Sequence, residues 1–226
     1  MERTHVLRNL ADIRAAIDAA AVRSGRDPAQ VTIVAAAKAV PIEAIRWVFD
    51  AGVTAVGENY VTELRAKAPA LPGARWHFIG TLQRSTAHHV ADLAAVVETV
   101  SAESALRRLA SRAARSGRTL DVLIEVDFTH ERSGVEPDDL AAAAALVASL
   151  EGVRLTGLMT LPPVPETPED ARPYFRMLRE LREDLRRTTP EVLELSMGMS
   201  LDYPIAVEEG ATMVRIGTAL FGPRTT

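Results

Sequence analysis

Cysteine is absent from the sequence and aromatic residues are few. None of the 226 residues is Cys, and Phe, Trp and Tyr together make up 4%. Without a thiol, the chain can form no disulfide, no thiolate metal site and no cysteine nucleophile. The shortage of aromatic rings argues against a surface on which nucleic-acid bases stack. The histidines, with His88, His89 and His130 among them, lack the spacing of metal ligands, so no metal is expected.

Long apolar runs and blocks of like charge are missing too. No stretch approaches the ~20 apolar residues that span a bilayer, and no apolar segment follows a basic start. The net charge is −4, and the basic residues are scattered among acidic ones rather than clustered as in a nucleic-acid footprint. We therefore predict a soluble, cytoplasmic protein that binds neither nucleic acid nor membrane.

Eight short apolar segments have the composition of buried β-strands, and helical patterns separate them. The predicted strands are Val31–Lys38, Val53–Gly57, Trp76–Gly80, Ala94–Val100, Leu120–Val126, Leu155–Thr160, Val192–Ser196 and Met213–Gly217. The clearest helical patterns are Arg3–Arg23, Ile42–Ala51, Ala102–Ser116, Pro137–Leu150 and Asp170–Arg187. Strands that alternate with helices form a parallel sheet. Eight repeats favour an α/β fold that is a single (β/α)8 TIM barrel over an open doubly wound sheet.

The ends of the chain bear on how the barrel is covered. No helical pattern is recognised after strand eight, so the extra N-terminal helix Arg3–Arg23 is predicted to cover that side. The Pro-rich segment Leu161–Pro168 is interpreted as a stiff loop after strand six. Because no linker or low-complexity segment divides the chain, residues 1–226 are expected to form one domain.

Residues that are unusual for a barrel core collect where strands end. Lys38 ends strand one, Asn59 follows strand two, and Arg215 lies inside the apolar strand eight. Chemistry in such barrels sits at the C-terminal ends of the strands. Arg215 needs either a buried carboxylate partner or a polar site, whereas His77 in strand three is predicted to be a buried histidine with its hydrogen bonds satisfied. Lys38 has three interpretations: it reaches solvent, forms a structural ion pair, or forms a Schiff base as a partly desolvated amine.

Two loops carry glycine and hydroxyl residues. They are Met197–Ser200 (MGMS) after strand seven and Arg215–Thr218 (RIGT) at the end of strand eight. Ser200 is placed to cap a helix that begins near Leu201. A helix cap and a tight turn that bind no ligand would give the same sequence pattern. Barrels often bind phosphate between these two loops. A lysine beside them suits pyridoxal 5'-phosphate (PLP), because its aldehyde forms a Schiff base with a lysine and its phosphate binds to such loops.

Several short motifs, each weak alone, are together specific for one family. They are Ala35–Pro41 (AAAKAVP), Gly57–Tyr60 (GENY), Trp76–Gly80 (WHFIG), Gly157–Thr160 (GLMT), Leu195–Ser200 (LSMGMS) and Met213–Thr218 (MVRIGT), with Phe221-Gly222. Through them the sequence resembles, over nearly the whole chain, the PLP-binding proteins of the YggS/PROSC type, also called PLP homeostasis proteins. The resemblance implies a single barrel like the N-terminal domain of alanine racemase.

The resemblance also implies roles for particular residues. Lys38 would be the Schiff-base lysine, and Asn59 would line the cofactor near its ring. The phosphate would be held by Ser200, Gly217 and Thr218, with backbone N–H groups around Met199. Arg215 would approach the pyridine nitrogen. An arginine does not readily exchange a proton, so the ring would stay largely unprotonated and be a weaker electron sink.

Three functions follow from these expectations. The first is a PLP carrier in intracellular PLP homeostasis with little or no catalytic activity, whose partners include PLP-dependent apo-enzymes and which is a monomer or weak dimer. The second is a PLP-dependent racemase-like enzyme, although alanine racemases take a tyrosine base from a second domain for which this chain is too short. The third is a class I aldolase-like barrel that uses the same lysine without PLP.

Two loops depart from the family pattern. The segment Leu82–Ala87 reads LQRSTA and lacks a lysine that the family usually has there, and Val126–Gly134 reads VDFTHERSG and is shortened. Both are expected at the rim of the site. The resemblance therefore predicts an unchanged cofactor core with an altered rim, which bears on partners and on release of the cofactor.

Overall fold

The computed structural model describes residues 1–130 and 133–223, and its centre is a closed barrel of eight parallel strands. The strands are β1 (Thr32–Ala36), β2 (Ala55–Glu58), β3 (Arg75–Phe78), β4 (Val96–Val100), β5 (Leu120–Val126), β6 (Val153–Thr160), β7 (Glu194–Ser196) and β8 (Met213–Ile216). Each pairs with the next along the chain, and β8 pairs with β1, with Val34 opposite Arg215. The predicted TIM barrel is confirmed, and each predicted strand end lies within two residues of the observed one.

Helices surround the barrel. They are α1 (Arg3–Arg23), α2 (Ile42–Asp50), α3 (Val61–Lys67), α4 (Ala87–Leu93), α5 (Glu103–Arg115), α6 (Leu140–Ala148), α7 (Arg172–Arg186), α8 (Tyr203–Glu208) and α9 (Thr218–Phe221). Short 3₁₀ turns precede α6 and α7 at Pro137–Asp139 and Pro168–Ala171, where proline is tolerated in the first turn. Within these described parts of the chain, no helix has both the length and the apolar character needed to cross a bilayer.

The N-terminal helix covers the barrel where the sequence analysis placed it, with one correction. Helix α1 buries Val6, Leu10, Ile13 and Ile17, whose spacing of three and four residues puts them on one face. It packs against α2, α8 and α9. The expectation that no helix follows strand eight is wrong, because the four-residue α9 is present there. A helix this short carries too few residues to produce a recognisable period.

The barrel interior is divided into an apolar and a polar part. The apolar part consists of Val34, Ala55, Val96, Leu123, Met159 and Met213. Alternate residues of a strand point to the same face, so Glu98 and Arg215 follow Val96 and Met213 into the barrel, nearer the C-terminal ends of the strands. Both are buried, with 0% and 5% of their surface exposed. The strands thus place charged side chains directly beneath the face on which a site is expected.

Candidate functional site

A cavity of about 530 Å³ opens at the C-terminal ends of the strands. Its walls include all seven residues that the sequence analysis selected: Lys38, Asn59, Met199, Ser200, Arg215, Gly217 and Thr218. They come from four separate parts of the chain, after β1 and β2, after β7, and at the end of β8. The cavity wall also contains Thr81, Thr99 and Glu125, which were not predicted from the sequence.

Lys38 lies two residues beyond the end of β1, in the turn that leads to α2. The predicted strand was therefore too long at this end. Ala39, the next residue, has a left-handed backbone with φ of 58°, a conformation that is uncommon for residues other than glycine. The lysine is half-buried, and its ammonium group makes no hydrogen bond or ion pair within residues 1–130 and 133–223. The structural ion pair that was one interpretation of Lys38 is thus not made with any of these residues.

Three charged residues next to this turn form a cluster, which we call the Glu–Lys–Glu cluster: Glu58, Glu63 and Lys67. The Nζ of Lys67 donates to Glu58 Oε1 at 2.7 Å and to Glu63 Oε2 at 2.6 Å. Glu58 ends β2 and is fully buried. Burial raises the pKa of Glu58 to about 7, against the opposing hydrogen bond and charge of Lys67. Burial also favours the neutral form of Glu63, but the bonds from Lys67 and from a backbone N–H hold the pKa of that carboxyl below its usual range.

The raised pKa of Glu58 makes stability depend on pH. Between pH 4.5 and about 7 the folded protein keeps a proton on Glu58 that the unfolded chain has released, so the wild type loses stability as the pH rises through this window. Glu58→Gln removes this titration. We expect its free energy of unfolding, relative to wild type, to rise by on the order of 3 kcal/mol between pH 4.5 and pH 8. Urea unfolding across this range measures the difference. If the difference in unfolding free energy between Glu58→Gln and wild type does not change with pH, the raised pKa of Glu58 is contradicted. The exposed control Glu43→Gln is expected to show no such change with pH.

Arg215 is held by a chain of buried hydrogen bonds beneath the cavity. Its Nη1 donates to Ser196 Oγ at 2.5 Å, and its Nη2 donates to the carbonyl oxygen of Thr160 at 2.9 Å. The Ser196 hydroxyl in turn donates to Glu98 Oε2 at 2.5 Å, and Glu98 Oε1 lies 2.6 Å from His77 Nδ1. The guanidinium is 3.9 Å from the same carboxylate. The expected buried partner of Arg215 is therefore Glu98, reached through a serine.

The charged groups along this series of hydrogen bonds compensate one another. Burial alone would raise the pKa of Glu98, but the hydrogen bond and charge of His77 and the charge of Arg215 hold it below its usual range. Burial lowers the pKa of Arg215, and the nearby carboxylate of Glu98 opposes that effect. Since an ionised carboxylate can only accept, the His77 Nδ1 is the donor in this hydrogen bond. The prediction that His77 is buried is confirmed, and its Nδ1 is hydrogen-bonded, whereas Nε2 is buried without a partner among the described residues.

The loops after β7 and β8 meet at the cavity wall. Ser200 Oγ accepts a hydrogen bond from the Ala219 N–H at 3.0 Å, so one loop is tied to the start of α9. The prediction that Ser200 caps the following helix is wrong. Helix α8 begins at Tyr203, and the Asp202 carboxylate takes the Met199 N–H at 2.7 Å. This shift arises because the chain turns once more, between Met199 and Asp202, before the helix starts.

Both loops leave backbone donors without an acceptor. The N–H groups of Ser200, Gly217 and Thr218 donate to no other residue in the described ranges. Gly198 has a φ of 92°, and a Cβ there would lie 2.5 Å from Ala206, so the first loop requires glycine for its own packing. At Gly217 a Cβ would meet Ala36 at an ordinary 3.5 Å. The protein itself therefore does not require glycine at 217, which fits a space kept for a ligand that approaches the backbone.

Some residues of the site were missed although the sequence carried a signal for them. Glu98 stands in the apolar segment Ala94–Val100, where a charged residue needs a buried partner or a polar site just as Arg215 does in strand eight. Glu63 and Lys67 are spaced four residues apart on a helix, which indicates a pair but not what the pair contacts. Within the described ranges, no group of three or more side chains is arranged to hold a metal ion.

Each of the two segments that depart from the family pattern begins just after a residue of the cavity wall, Thr81 for Leu82–Ala87 and Glu125 for Val126–Gly134. In the first segment, residues 83–85 are exposed. In the second segment, Asp127 Oδ1 accepts bonds from the N–H and the hydroxyl of Thr129 at 2.8 Å. Residues 131 and 132 of that segment lie outside the described residues.

A closed barrel with a lysine and two donor-rich loops at its C-terminal face has the arrangement of (β/α)8 barrels whose phosphate site follows strands seven and eight. Comparison with known proteins agrees. The family described as alanine racemase, N-terminal domain, matches residues 9–225. A pyridoxal phosphate homeostasis protein of Aquifex aeolicus is 42% identical over 213 residues, which is 92% of this chain and 93% of the relative. Its counterpart in Escherichia coli K12 is 38% identical and covers 97% of each chain.

A solved structure gives the same result. PipY of Synechococcus elongatus PCC7942, with PLP bound, is 32% identical and superposes with a TM-score of 0.85, covering 96% of this chain and all of that one. The chain belongs to the alanine racemase N-terminal-domain family and, within it, to the pyridoxal phosphate homeostasis proteins. The resemblance inferred from the motifs is confirmed.

Proposed function

We propose that this protein holds PLP as a Schiff base on the Nζ of Lys38 and serves PLP homeostasis in the cell, with little or no catalytic activity. The observation that carries the proposal is that Lys38, which has no partner among the described residues, shares a cavity with the unused N–H groups of two loops. The names of the A. aeolicus and E. coli relatives and the PLP found in PipY support the same conclusion.

We assign the residues of the cavity the following roles in binding PLP. The N–H groups of Ser200, Gly217 and Thr218 bind the phosphate, because oriented backbone donors suit an anion. Asn59 would lie along the ring, and Arg215 would approach the pyridine nitrogen, since both line the cavity. When bound, PLP supplies an electrophilic aldehyde and an electron sink. The N–H of Met199 already donates to Asp202, so Met199 contributes through its place in the loop rather than through that donor.

The groups in the cavity support the proposal of low catalytic activity. Arg215 is bonded to Ser196 and Thr160 and paired with Glu98, so it keeps its proton instead of passing it to the ring. Racemisation with two bases needs an acid–base group on each side of the substrate. Apart from Lys38 and Arg215, the one titratable residue among the described lining residues is Glu125. A racemase-like enzyme remains the second candidate function because of this carboxylate.

The first experiment is a visible spectrum of the purified protein with added PLP, before and after borohydride, with peptide mapping of the product. We expect a visible band that borohydride removes and a pyridoxyl group on Lys38. Mapping is unambiguous because the chain has two lysines, Lys38 and Lys67, and the amine of Lys67 is fully hydrogen-bonded. A protein that stays colourless with PLP would contradict the proposal and favour an aldolase-like barrel.

Turnover assays separate carrier from enzyme. The PLP-loaded protein is incubated with D- and L-amino acids, and interconversion is followed by chiral chromatography. Rates no higher than those of free PLP are expected for a carrier. Rapid racemisation that Glu125→Gln abolishes would establish the racemase-like function instead.

The proposal extends to partners and location. We infer that the protein works in the cytoplasm as a monomer or weak dimer and passes PLP to PLP-dependent apo-enzymes. Reactivation of an apo-enzyme faster by the loaded protein than by an equal concentration of free PLP is the expected result. Equal rates in both reactions would contradict direct transfer.

A further inference from the structure

The turn that carries Lys38 has little of its own to keep it in place. Ala37 and Ala39, on either side of the lysine, have only methyl side chains, and Ala39 has the left-handed backbone that residues other than glycine disfavour. Within the turn, one backbone bond runs from the Val40 N–H to the Ala37 carbonyl. The direction in which Lys38 points therefore depends on contacts from outside the turn.

The Glu–Lys–Glu cluster supplies those contacts on both sides of the lysine. The Ala39 N–H donates to Glu63 Oε2 at 2.9 Å. The Nζ of Lys67 donates to the Ala37 carbonyl at 2.8 Å. Glu63 and Lys67 lie one helical turn apart on α3 and are bonded to each other, so a single helix holds the peptide groups before and after Lys38.

The chemistry of Lys67 matches this task. Its ammonium has three donors, and three acceptors surround it: the Ala37 carbonyl, Glu58 and Glu63. Its side chain is 13% exposed, so these charge-assisted bonds are partly shielded from solvent. Almost every other basic position in this chain is arginine. A planar guanidinium does not reproduce three converging bonds from one nitrogen, whereas a rotatable ammonium does.

We propose that Glu63 and Lys67, supported by Glu58, are positioning residues that aim the Lys38 amine into the cavity by fixing the peptide groups on both sides of it. The inference rests on the proposed PLP function. None of the three is among the described residues that line the cavity, so they act through the backbone rather than on the cofactor. Without the cluster the turn relaxes, and the amine spends less time where it meets the aldehyde.

Glu63→Ala tests the proposal, because Glu63 is partly exposed and its loss leaves Glu58 paired with Lys67. We expect faster hydrogen exchange of the Ala39 amide in the protein without PLP, and PLP affinity weaker by about tenfold, the size of one lost charge-assisted hydrogen bond. Glu63→Gln keeps an oxygen that can accept from Ala39 and should recover most of the affinity. Glu103→Ala removes a similar i,i+4 pair with Arg107, far from the turn, and should change neither quantity.

Lys67→Arg is the second variant, because it keeps the charge beside the buried Glu58. It should weaken PLP binding and raise Ala39 exchange as Glu63→Ala does. Unchanged PLP affinity in both variants would overturn the proposal, whatever the exchange rates. If the wild type itself forms no adduct, the proposed function fails, and Ala39 exchange still tests the cluster: equal rates in wild type and Glu63→Ala would then overturn it.

Discussion

Lys38→Ala is expected to abolish covalent attachment of PLP and to leave the fold intact. The variant lacks the amine that meets the aldehyde, and the other lysine, Lys67, has its three donors committed elsewhere. Since the Lys38 ammonium has no hydrogen bond or ion pair with any residue the structure describes, its removal should cost less than about 1 kcal/mol of stability. The measurements are the visible band at saturating PLP, the mass increase after borohydride, and urea unfolding.

Lys38→Arg is the matched control for this prediction. It keeps a positive charge of similar reach in the cavity, but a guanidinium does not form the imine. We expect it to lose the borohydride-trapped adduct as completely as alanine does, while retaining more non-covalent PLP through its charge. If either variant kept the full visible band, the adduct would lie elsewhere and the assignment of Lys38 would be wrong.

Glu98→Ala is expected to lower the free energy of unfolding by about 3–5 kcal/mol, because it removes the carboxylate that is ion-paired with the buried Arg215. It also removes the acceptor of Ser196 and of His77 Nδ1. Urea unfolding at pH 7 measures the loss. The low pKa of Glu98 means that this stabilisation is complete above the unfolded value of 4.5 and declines as the pH falls through the folded value.

A double-mutant cycle gives the control. Arg215→Met removes the charge that Glu98→Ala leaves unpaired, so the double variant should be more stable than the sum of the two single losses predicts. Additive losses would show that Glu98 and Arg215 are not coupled. Glu98→Gln keeps the shape and should fall between wild type and alanine. Because Arg215 lines the cavity, all of these variants should also weaken PLP binding.

The two buried carboxylates of the site show how local surroundings decide the outcome. Glu58 and Glu98 are both 0% exposed. At Glu58 burial outweighs a single ammonium and raises the pKa, whereas at Glu98 the opposing contacts outweigh burial and lower it. Replacement of Glu58 by glutamine should therefore remove the destabilising effect of a buried charge above pH 7. The same replacement at Glu98 should remove a charge that stabilises the fold. The same substitution has opposite expected signs at two positions of one barrel.

Much of the site could be predicted because each unusual residue conflicts with its local pattern. Burial of a charged side chain without a partner is unfavourable. Lys38 at the end of one apolar strand and Arg215 inside another could therefore be recognised as candidate site residues from the sequence. The Ser200 cap was wrong because one extra turn of chain precedes α8. Lys67 was missed because it lies on a short surface helix, where a charged residue is ordinary and its contacts with Ala37 and Glu58 leave no periodic signal.

The sequence by itself determined the number of strands, their order and the end of the barrel on which the site lies. Those features depend on local hydrophobic patterns and on the rule that repeated strand–helix units form a parallel barrel. Only the tertiary structure decided which groups meet. Ser196 reaches Glu98 from 98 residues away, and β8 lies beside β1 only because the barrel closes. That closure also decides the direction of the Lys38 side chain, the pKa of Glu58 and which N–H groups have no acceptor. Each of these depends on contacts between segments that are distant in the chain.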